Sequence, residues 1–414
     1  MGLFSSASSY LGVDIGTSSI KMVELENFKN QARLKTYGYS DISVNILSSS
    51  IDKNNQLIAD YIGEIAQKSN VQTRQVVTAL PTFSVFNFIV SLPPMPKKDL
   101  ASAIKWEAKK FIPVPLEEMI LDWKILNKKK IKAKTKVPDV KLDNQNKDID
   151  NKADNSNASL EKDKSPDLME ELNQSARELA QGVGKPGRAV TKNDTQIIRP
   201  KKDDNNYRIL LTAAPKNLVA RYIDIFKRAK LNLLSLETEA FALSRSLIGN
   251  DNSTVMIVDI GATTADICII EEGVPILNRG IDTGGEFITK TIMNSLNVNQ
   301  DRAEQFKRDF GLAGGGFKNI PDVIQKSLNS IINEIKYVFE LYQRQGENNI
   351  DKIVLTGGSA FLPNLPGYLS ELLNMQVIIG DPWDRIIYPL DLQPILEEIG
   401  PRMATSVGLA MRDI

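Results

Sequence analysis

Histidine does not occur in this chain of 414 residues. Its absence excludes Ser-His-Asp and Cys-His chemistry and every histidine metal site, so chemistry here must rest on carboxylates, hydroxyls, lysines, backbone amides or a borrowed ion. Cysteine is almost as scarce. Cys268 stands alone in the apolar stretch "DICII", which rules out an intramolecular disulfide, suits a reducing compartment and reads as a small buried apolar residue. Net charge is also lacking: 51 Lys and Arg balance 51 Asp and Glu, so the broad positive field of a nucleic-acid binder is missing. No window approaches the roughly 18 apolar residues of a spanning helix. The opening "MGLFSSASSYLGV" has neither the basic region nor the apolar core of a secretory signal, and "MGLFSS" matches only the loose myristoylation pattern with nothing polybasic behind it. These absences describe a soluble intracellular protein, and the length favours two or more domains.

What is present is unevenly distributed. From Asn127 to Asn206 there is no aromatic residue, and Lys, Asp and Asn are dense. Such a segment cannot bury enough apolar surface to offset its ordering entropy, so residues 127–206 are expected to be a long disordered insert. Within it "SPDLMEELNQSARELAQG" is an exception, with Ser165 to cap, Pro166 at the first helical position and Leu168, Leu172, Ala176 and Leu179 on one face. It reads either as a helix that folds on a partner or as a transient one. The flanks read strand, helix, strand ("SVFNFIVSLP", "KKDLASAIKWEAKKF", "LDWKIL"), then strand, helix, strand ("YRILLTAAP", the stripe from Leu218 to Phe226, "LNLLSLE"). This is a split βαβ order with the insert in place of its central hairpin loop, and it predicts a small α+β subdomain over residues 83–236.

Two stretches nearly repeat each other: "VDIGTSSIK", Val13 to Lys21, and "VDIGATTAD", Val258 to Asp266. Each delivers an aspartate, Asp14 or Asp259, to the end of an apolar strand. Gly16 or Gly261 then permits a tight turn whose backbone N–H groups converge, and Thr17, Ser18, Ser19 or Ala262, Thr263, Thr264 follow, mostly with hydroxyls. Such a nest suits a phosphate. The neighbouring aspartate suits Mg²⁺, which prefers one or two carboxylates plus waters and phosphate oxygens. A third stretch, "DKIVLTGGSAFLPNLPGYLSELL", opens an apolar strand into Gly357, Gly358 and Ser359, where the missing side chains let a flat ring or ribose approach the backbone. Lys21 is open to two readings, a phosphate contact or a lysine on an outward strand face.

Together these three stretches resemble the phosphate-1, phosphate-2 and adenosine motifs of the actin, sugar kinase and DnaK-type chaperone superfamily. More closely, "LGVDIGTSSIKMVEL", "LPPMPKKDLASAIKWEAKKFIPVPLEEMILDWKIL", "LETEAFALSRSL" and "PNLPGYLSELL" are similar to the PilM family of type IV pilus assembly proteins, relatives of FtsA. The resemblance covers nearly everything outside residues 127–206. It implies an α/β, actin-like two-lobed ATPase fold with a duplicated ribonuclease-H-like core. Residues 1–82, 237–253 and 391–414 would form the first lobe, 83–236 the inserted subdomain and 254–390 the second lobe.

The resemblance further implies ATP and Mg²⁺ in the cleft. Asp14 and Asp259 would handle the metal and its waters, and the turns at Gly16 to Ser19 and Gly261 to Thr264 the phosphates. Gly357, Gly358 and Ser359 would meet adenosine, with Gly285 and Glu286 of "DTGGEF" near the ribose. Glu334 or Lys336 would reach the base or stay solvated helix charges. Glu239 would orient the attacking water, with Glu237 close enough to compete, in a protein that is at most a slow ATPase. The implied role is a cytoplasmic scaffold, peripheral at the inner face of the cytoplasmic membrane, that holds the N-terminal tail of PilN and communicates with the platform protein PilC and the motor ATPases. Self-association is open and nucleic acid is not a partner. The rivals are an FtsA-like division protein, disfavoured by the bare end "RMATSVGLAMRDI", and a sugar-kinase-type phosphotransferase.

Overall fold

The computed structural model describes residues 8–42, 51–126, 206–313, 319–344 and 349–414. The insert, its candidate helix and the N-terminal myristoylation pattern fall outside them.

Three sheets organise the chain. The first begins as an antiparallel meander, β1 (Ser9–Ile15), β2 (Ile20–Phe28) and β3 (Gln31–Ser40), and continues with β4 (Gln75–Leu80) parallel to β1 after helix α1 (Ile51–Lys68). A second sheet repeats this plan. Strands β9 (Val255–Ile260), β10 (Ala265–Glu271) and β11 (Val274–Ile281) form the meander, and β12 (Lys352–Thr356) lies parallel to β9, with β13 (Gln376–Ile379) beyond it. Strand-centre residues are apolar on both faces, as sheets covered on both sides require. The meander, the parallel crossover and the aspartate-ending first strand therefore occur twice in one chain.

Between the two meanders lies a small three-stranded sheet, β5 (Phe86–Leu92), β6 (Met119–Ile125) and β7 (Tyr207–Pro215), ordered β5-β7-β6 and covered by α2 (Lys97–Ala108). Leu100, Ile104 and Ala108 of α2 pack on Phe88, Val90, Ile209 and Leu211. Ile89 and Leu210, on the other face, join the core of the second lobe.

The expected extent of this subdomain, 83–236, needs correction. Helix α3 (Lys216–Arg228) and strand β8 (Asn232–Thr238) belong to the first lobe, β8 pairing in parallel with β4 through Gln75↔Asn232 to Leu80↔Thr238. The cause is the apolar stripe of α3: Leu218, Val219, Tyr222, Ile225 and Phe226 share one core with Leu11, Val13, Ile58 and Ile62. A split βαβ unit would have placed that stripe on the small sheet. The chain also returns to the first sheet before residue 391, because β14 (Ile386–Ile387) pairs with β3 at Ala32 and Arg33.

Helices complete the layers. The outer face of the second sheet is covered by α5 (Gly285–Leu296), α6 (Gln300–Asp309), α7 (Asn319–Gln343) and α8 (Leu365–Leu373). The layer between the sheets is made by the short α4 (Glu239–Leu243), which continues as a π-turn, and by α9 (Gln393–Ala410). Approach here is backbone to backbone. A Cβ on Gly12 would meet Ala410 N at 2.6 Å, and one on Gly408 would meet Ala242 Cα at 2.9 Å.

Candidate functional site

Both copies of the repeated turn adopt the same hairpin. Gly16 N–H donates to Ser19 C=O at 3.0 Å, and Gly261 N–H donates to Thr264 C=O at 2.9 Å. The glycine amides are thus used to close the turns, and the residues at the tips are Thr17, Ser18 and Ala262, Thr263. The tips face each other: Thr17 Oγ1 and Thr263 Oγ1 are 2.8 Å apart, a hydrogen bond joining residues 246 positions apart in sequence. Two turns separated by most of the chain therefore converge on one cleft.

Strand alternation aims the carboxylates into it. Asp14 shares the face of the first sheet that includes Gly12, the face packed on α9. Asp259 and Asp266 lie directly opposite each other on β9 and β10, and they share the face of Ile257 and Cys268, which pack against α4. Glu239 opens α4, and its carboxylate accepts from Thr82 Oγ1 at 2.8 Å and from Thr82 N–H at 3.3 Å. Among the described residues the lysine set into this group is Lys21, paired with Asp14 across the β1–β2 ladder and donating from Nζ to Asp14 Oδ2 at 2.8 Å. It is not a solvated outward lysine: its side chain is only 13% exposed, and its Nζ lies beside the first hairpin, 3.5 Å from where a Cβ on Gly16 would be.

Four carboxylates share one buried lysine, so the cluster resists full ionisation. Burial, then Asp14 and Asp259, push Glu239 up to about 8 against the two Thr82 hydrogen bonds. Burial also raises Asp259, to about 6, with Lys21 opposing and Asp14 adding to the rise. Asp266 is raised well above its ordinary value by burial and by Glu239 and Asp259. Its Oδ1 is buried without a hydrogen-bond partner among the described residues. Such an oxygen and such a cluster fit a divalent cation or its water shell. Among the described residues no three Asp, Glu, His or Cys side chains form a ready metal cage.

Asp266 and Thr82 are site residues that the sequence reading did not assign. Asp266 closes the quoted repeat, and the available signal was an acid at an alternating position inside an otherwise apolar strand. Glu237 does not compete with Glu239, because it is ion-paired with Arg245.

The second-lobe residues divide. Gly285 N–H and Glu286 N–H donate to Gly261 C=O and Ala262 C=O at 2.9 and 2.8 Å, so the start of α5 is fastened to the second hairpin. A Cβ on Gly285 would come within 2.5 Å of Ser359 Oγ and 3.7 Å of Lys307 Nζ, which places Ser359 and Lys307 beside it. Lys307 bonds Glu304 at 2.8 Å and Thr289 Oγ1 at 2.8 Å, and is a further cation at this edge of the site. Gly357 has φ +84°, its N–H donates to Pro401 C=O at 3.1 Å, and a Cβ would strike Asp259 Oδ1 and lie 2.6 Å from Ile260 C=O. Its lack of a side chain serves the packing of Asp259. The room expected for a ligand lies at Gly358, where a Cβ would meet nothing closer than Arg402 Cγ at 3.9 Å. Glu334 is ion-paired with Arg279. Arg279 neighbours Gly280, the partner of Asp266, so it projects from the opposite face of the sheet. Lys336 is exposed on α7, and nothing joins it or Glu334 to the hairpins among the described residues.

Comparison with known proteins agrees with this geometry. The sequence family described as type IV pilus assembly protein PilM matches residues 12–160 and 191–414. Among solved structures, a PilM-PilN type IV pilus biogenesis complex superposes with TM-score 0.70 at 22% identity, covering 97% of this chain and 98% of that one. The ethanolamine utilization protein EutJ from Carboxydothermus hydrogenoformans superposes with TM-score 0.50 at 15% identity, covering 98% and 89%. Cell division protein FtsA of Borreliella burgdorferi is 28% identical over 180 residues, 38% of this chain and 42% of its own length. FtsA of Staphylococcus epidermidis RP62A is 23% identical over 222 residues, 48% of each chain. The chain thus spans less than half the length of these curated relatives. With a doubled core, two facing acidic hairpins and a family match across nearly its whole length, the chain belongs to the type IV pilus assembly protein PilM family and has the actin-like two-lobed α/β fold.

Proposed function

We propose that the cleft binds ATP with Mg²⁺ and that the protein is a nucleotide-dependent scaffold of the pilus assembly platform. The observation that carries the reading is the meeting of the two hairpins at Thr17 and Thr263, with Asp14 and Asp259 behind them. In it the tip amides and hydroxyls of Thr17, Ser18, Thr263 and Thr264 bind phosphate oxygens through charge-assisted hydrogen bonds. Asp14 and Asp259 hold the hydrated ion, which supplies charge neutralisation at the phosphates. Gly358, Ser359 and Lys307 border the nucleoside end. Burial and Asp14 raise Glu239 to about 8 in the ligand-free chain, and in this reading turnover is slow at most.

The scaffold reading draws support from a solved relative whose structure is of a PilM-PilN complex. In this reading the chain holds the N-terminal tail of PilN beside the small subdomain, sits on the cytoplasmic side of the inner membrane through that partner, and passes nucleotide state to PilC and the motor ATPases. Coupling requires the lobes to bind ATP with different affinity in open and closed states. Calorimetric titration of Mg-ATP tests the first step. The intact chain should bind, and Asp14→Ala with Asp259→Ala should abolish binding while circular dichroism stays unchanged; equal affinity in the variant refutes the cleft assignment.

A further inference from the structure

The outer face of α2 is the strongest unassigned surface. Its inner stripe is buried on the small sheet, and its outer side carries Lys98, Ser102, Lys105, Trp106 and Lys109, all exposed. These positions are spaced so that they fall on one side of a helix. Trp106 is 63% exposed, and Lys110 Nζ lies 4.1 Å from its ring centroid while pairing with Glu107 at 2.6 Å. Over residues 97–110 there are five lysines (Lys97, Lys98, Lys105, Lys109 and Lys110), two acids (Asp99 and Glu107) and no arginine. Lys98, Lys105 and Lys109 have no ion-pair partner among the described residues.

Helix stability does not account for this pattern. Lysines in the last turn complement the helix dipole, but Lys97 and Lys98 sit at the positive N-terminal end, where the dipole disfavours them. A single exposed aromatic is ordinary on a protein surface, yet this indole stands inside the lysine group, capped by one of them.

We propose that this face is a docking surface for an anionic lipid bilayer. The charge complementarity is direct: lysine ammonium groups meet lipid phosphates as hydrated point charges on flexible stems, and an indole seats its ring at the headgroup level. The surface is a convex helix face without the planar guanidinium forks that favour carboxylate recognition, so an acidic protein segment fits it less well. Because α2 keeps its apolar stripe in the core, the contact is shallow, electrostatic and salt-sensitive. It adds a direct membrane contact to one made through a partner, and it does not depend on the nucleotide.

The test uses the full chain with vesicles of phosphatidylcholine, alone or mixed with phosphatidylglycerol, at low salt. The chain should sediment with the mixed vesicles only and be released by about 0.5 M salt. Lys98→Glu with Lys105→Glu and Lys109→Glu should weaken binding at least ten-fold. Trp106→Phe should abolish quenching of tryptophan fluorescence by brominated lipid. Unchanged Mg-ATP binding and circular dichroism would show these variants folded. Equal sedimentation of the triple variant, no binding to mixed vesicles, or binding to both kinds alike would overturn the proposal, the second result leaving an acidic protein as occupant.

Discussion

Glu239 is a residue whose protonation is bound to the fold. Its ordinary value of 4.5 is pushed up to about 8 by burial and by Asp14. A carboxyl that holds its proton more tightly when folded stabilises the fold below its unfolded value and loses that stabilisation as pH rises through the folded one. The ligand-free chain should therefore lose stability between about pH 4.5 and pH 8 through this group. Asp259, raised from 3.8 to about 6, acts the same way over the lower part of that window. Glu239→Gln should reduce the fall in melting temperature between pH 5 and pH 8.5 by at least about 2 °C; an unchanged fall would mean that the carboxylate is solvated. At this scale the sequence was informative where chemistry coincided with a chain landmark. Asp14 and Asp259 end strands and precede glycine turns, so they were legible. Asp266 sits inside a strand, and its role depends on which face packs inward. The Lys21–Asp14 pair depends on ladder register.

At the scale of elements, Gly357 and Gly358 look equivalent in "LTGGSAF" and serve different ends. Gly357 adopts a left-handed conformation, and its missing side chain makes room for Asp259, whereas Gly358 faces open space. Gly357→Ala should cost about 1–3 kcal/mol in denaturant unfolding through overpacking and backbone strain. Gly358→Ala should leave stability within about 0.5 kcal/mol of the parent and weaken Mg-ATP binding instead. The reverse pattern would exchange their assigned roles. Periodicity located the strands and helices around the insert correctly, but it could not say which sheet would receive α3 and β8. Neighbouring strands in sequence pair only about two-thirds of the time, and the stripe from Leu218 to Phe226 fits either partner until the pairing of β8 with β4 is known.

For the whole molecule, the duplicated plan places two similar sheets back to back with α4 and α9 between them. Helix α9 packs on the first sheet, yet its Pro401 C=O accepts from Thr356 Oγ1 at 3.0 Å and Gly357 N–H at 3.1 Å in the second. One residue on, Arg402 pairs with Asp41 and lies 5.0 Å from the ring centroid of Tyr39, both of the first lobe, while its stem lies near Gly358. The glycine loop and the first lobe thus share one helix. The duplicated core was expected from the resemblance, with the repeated "VDIG" as its mark in the sequence, and the two sheets repeat the same strand plan. That the two hairpins face one cleft was expected from the motifs and the resemblance; what lay beyond the sequence was the packing of α4 and α9 that sets how near they come.

In the proposed function these hairpins close together on one triphosphate. A crystal structure of the chain grown with Mg²⁺ and a non-hydrolysable ATP analogue tests it most directly. Phosphate density should lie between Gly16–Ser19 and Gly261–Thr264, with a metal beside Asp14 and Asp259 and the Thr17–Thr263 contact opened to admit it. An analogue bound elsewhere, or a cleft still bridged by those two threonines at saturating ligand, would contradict it.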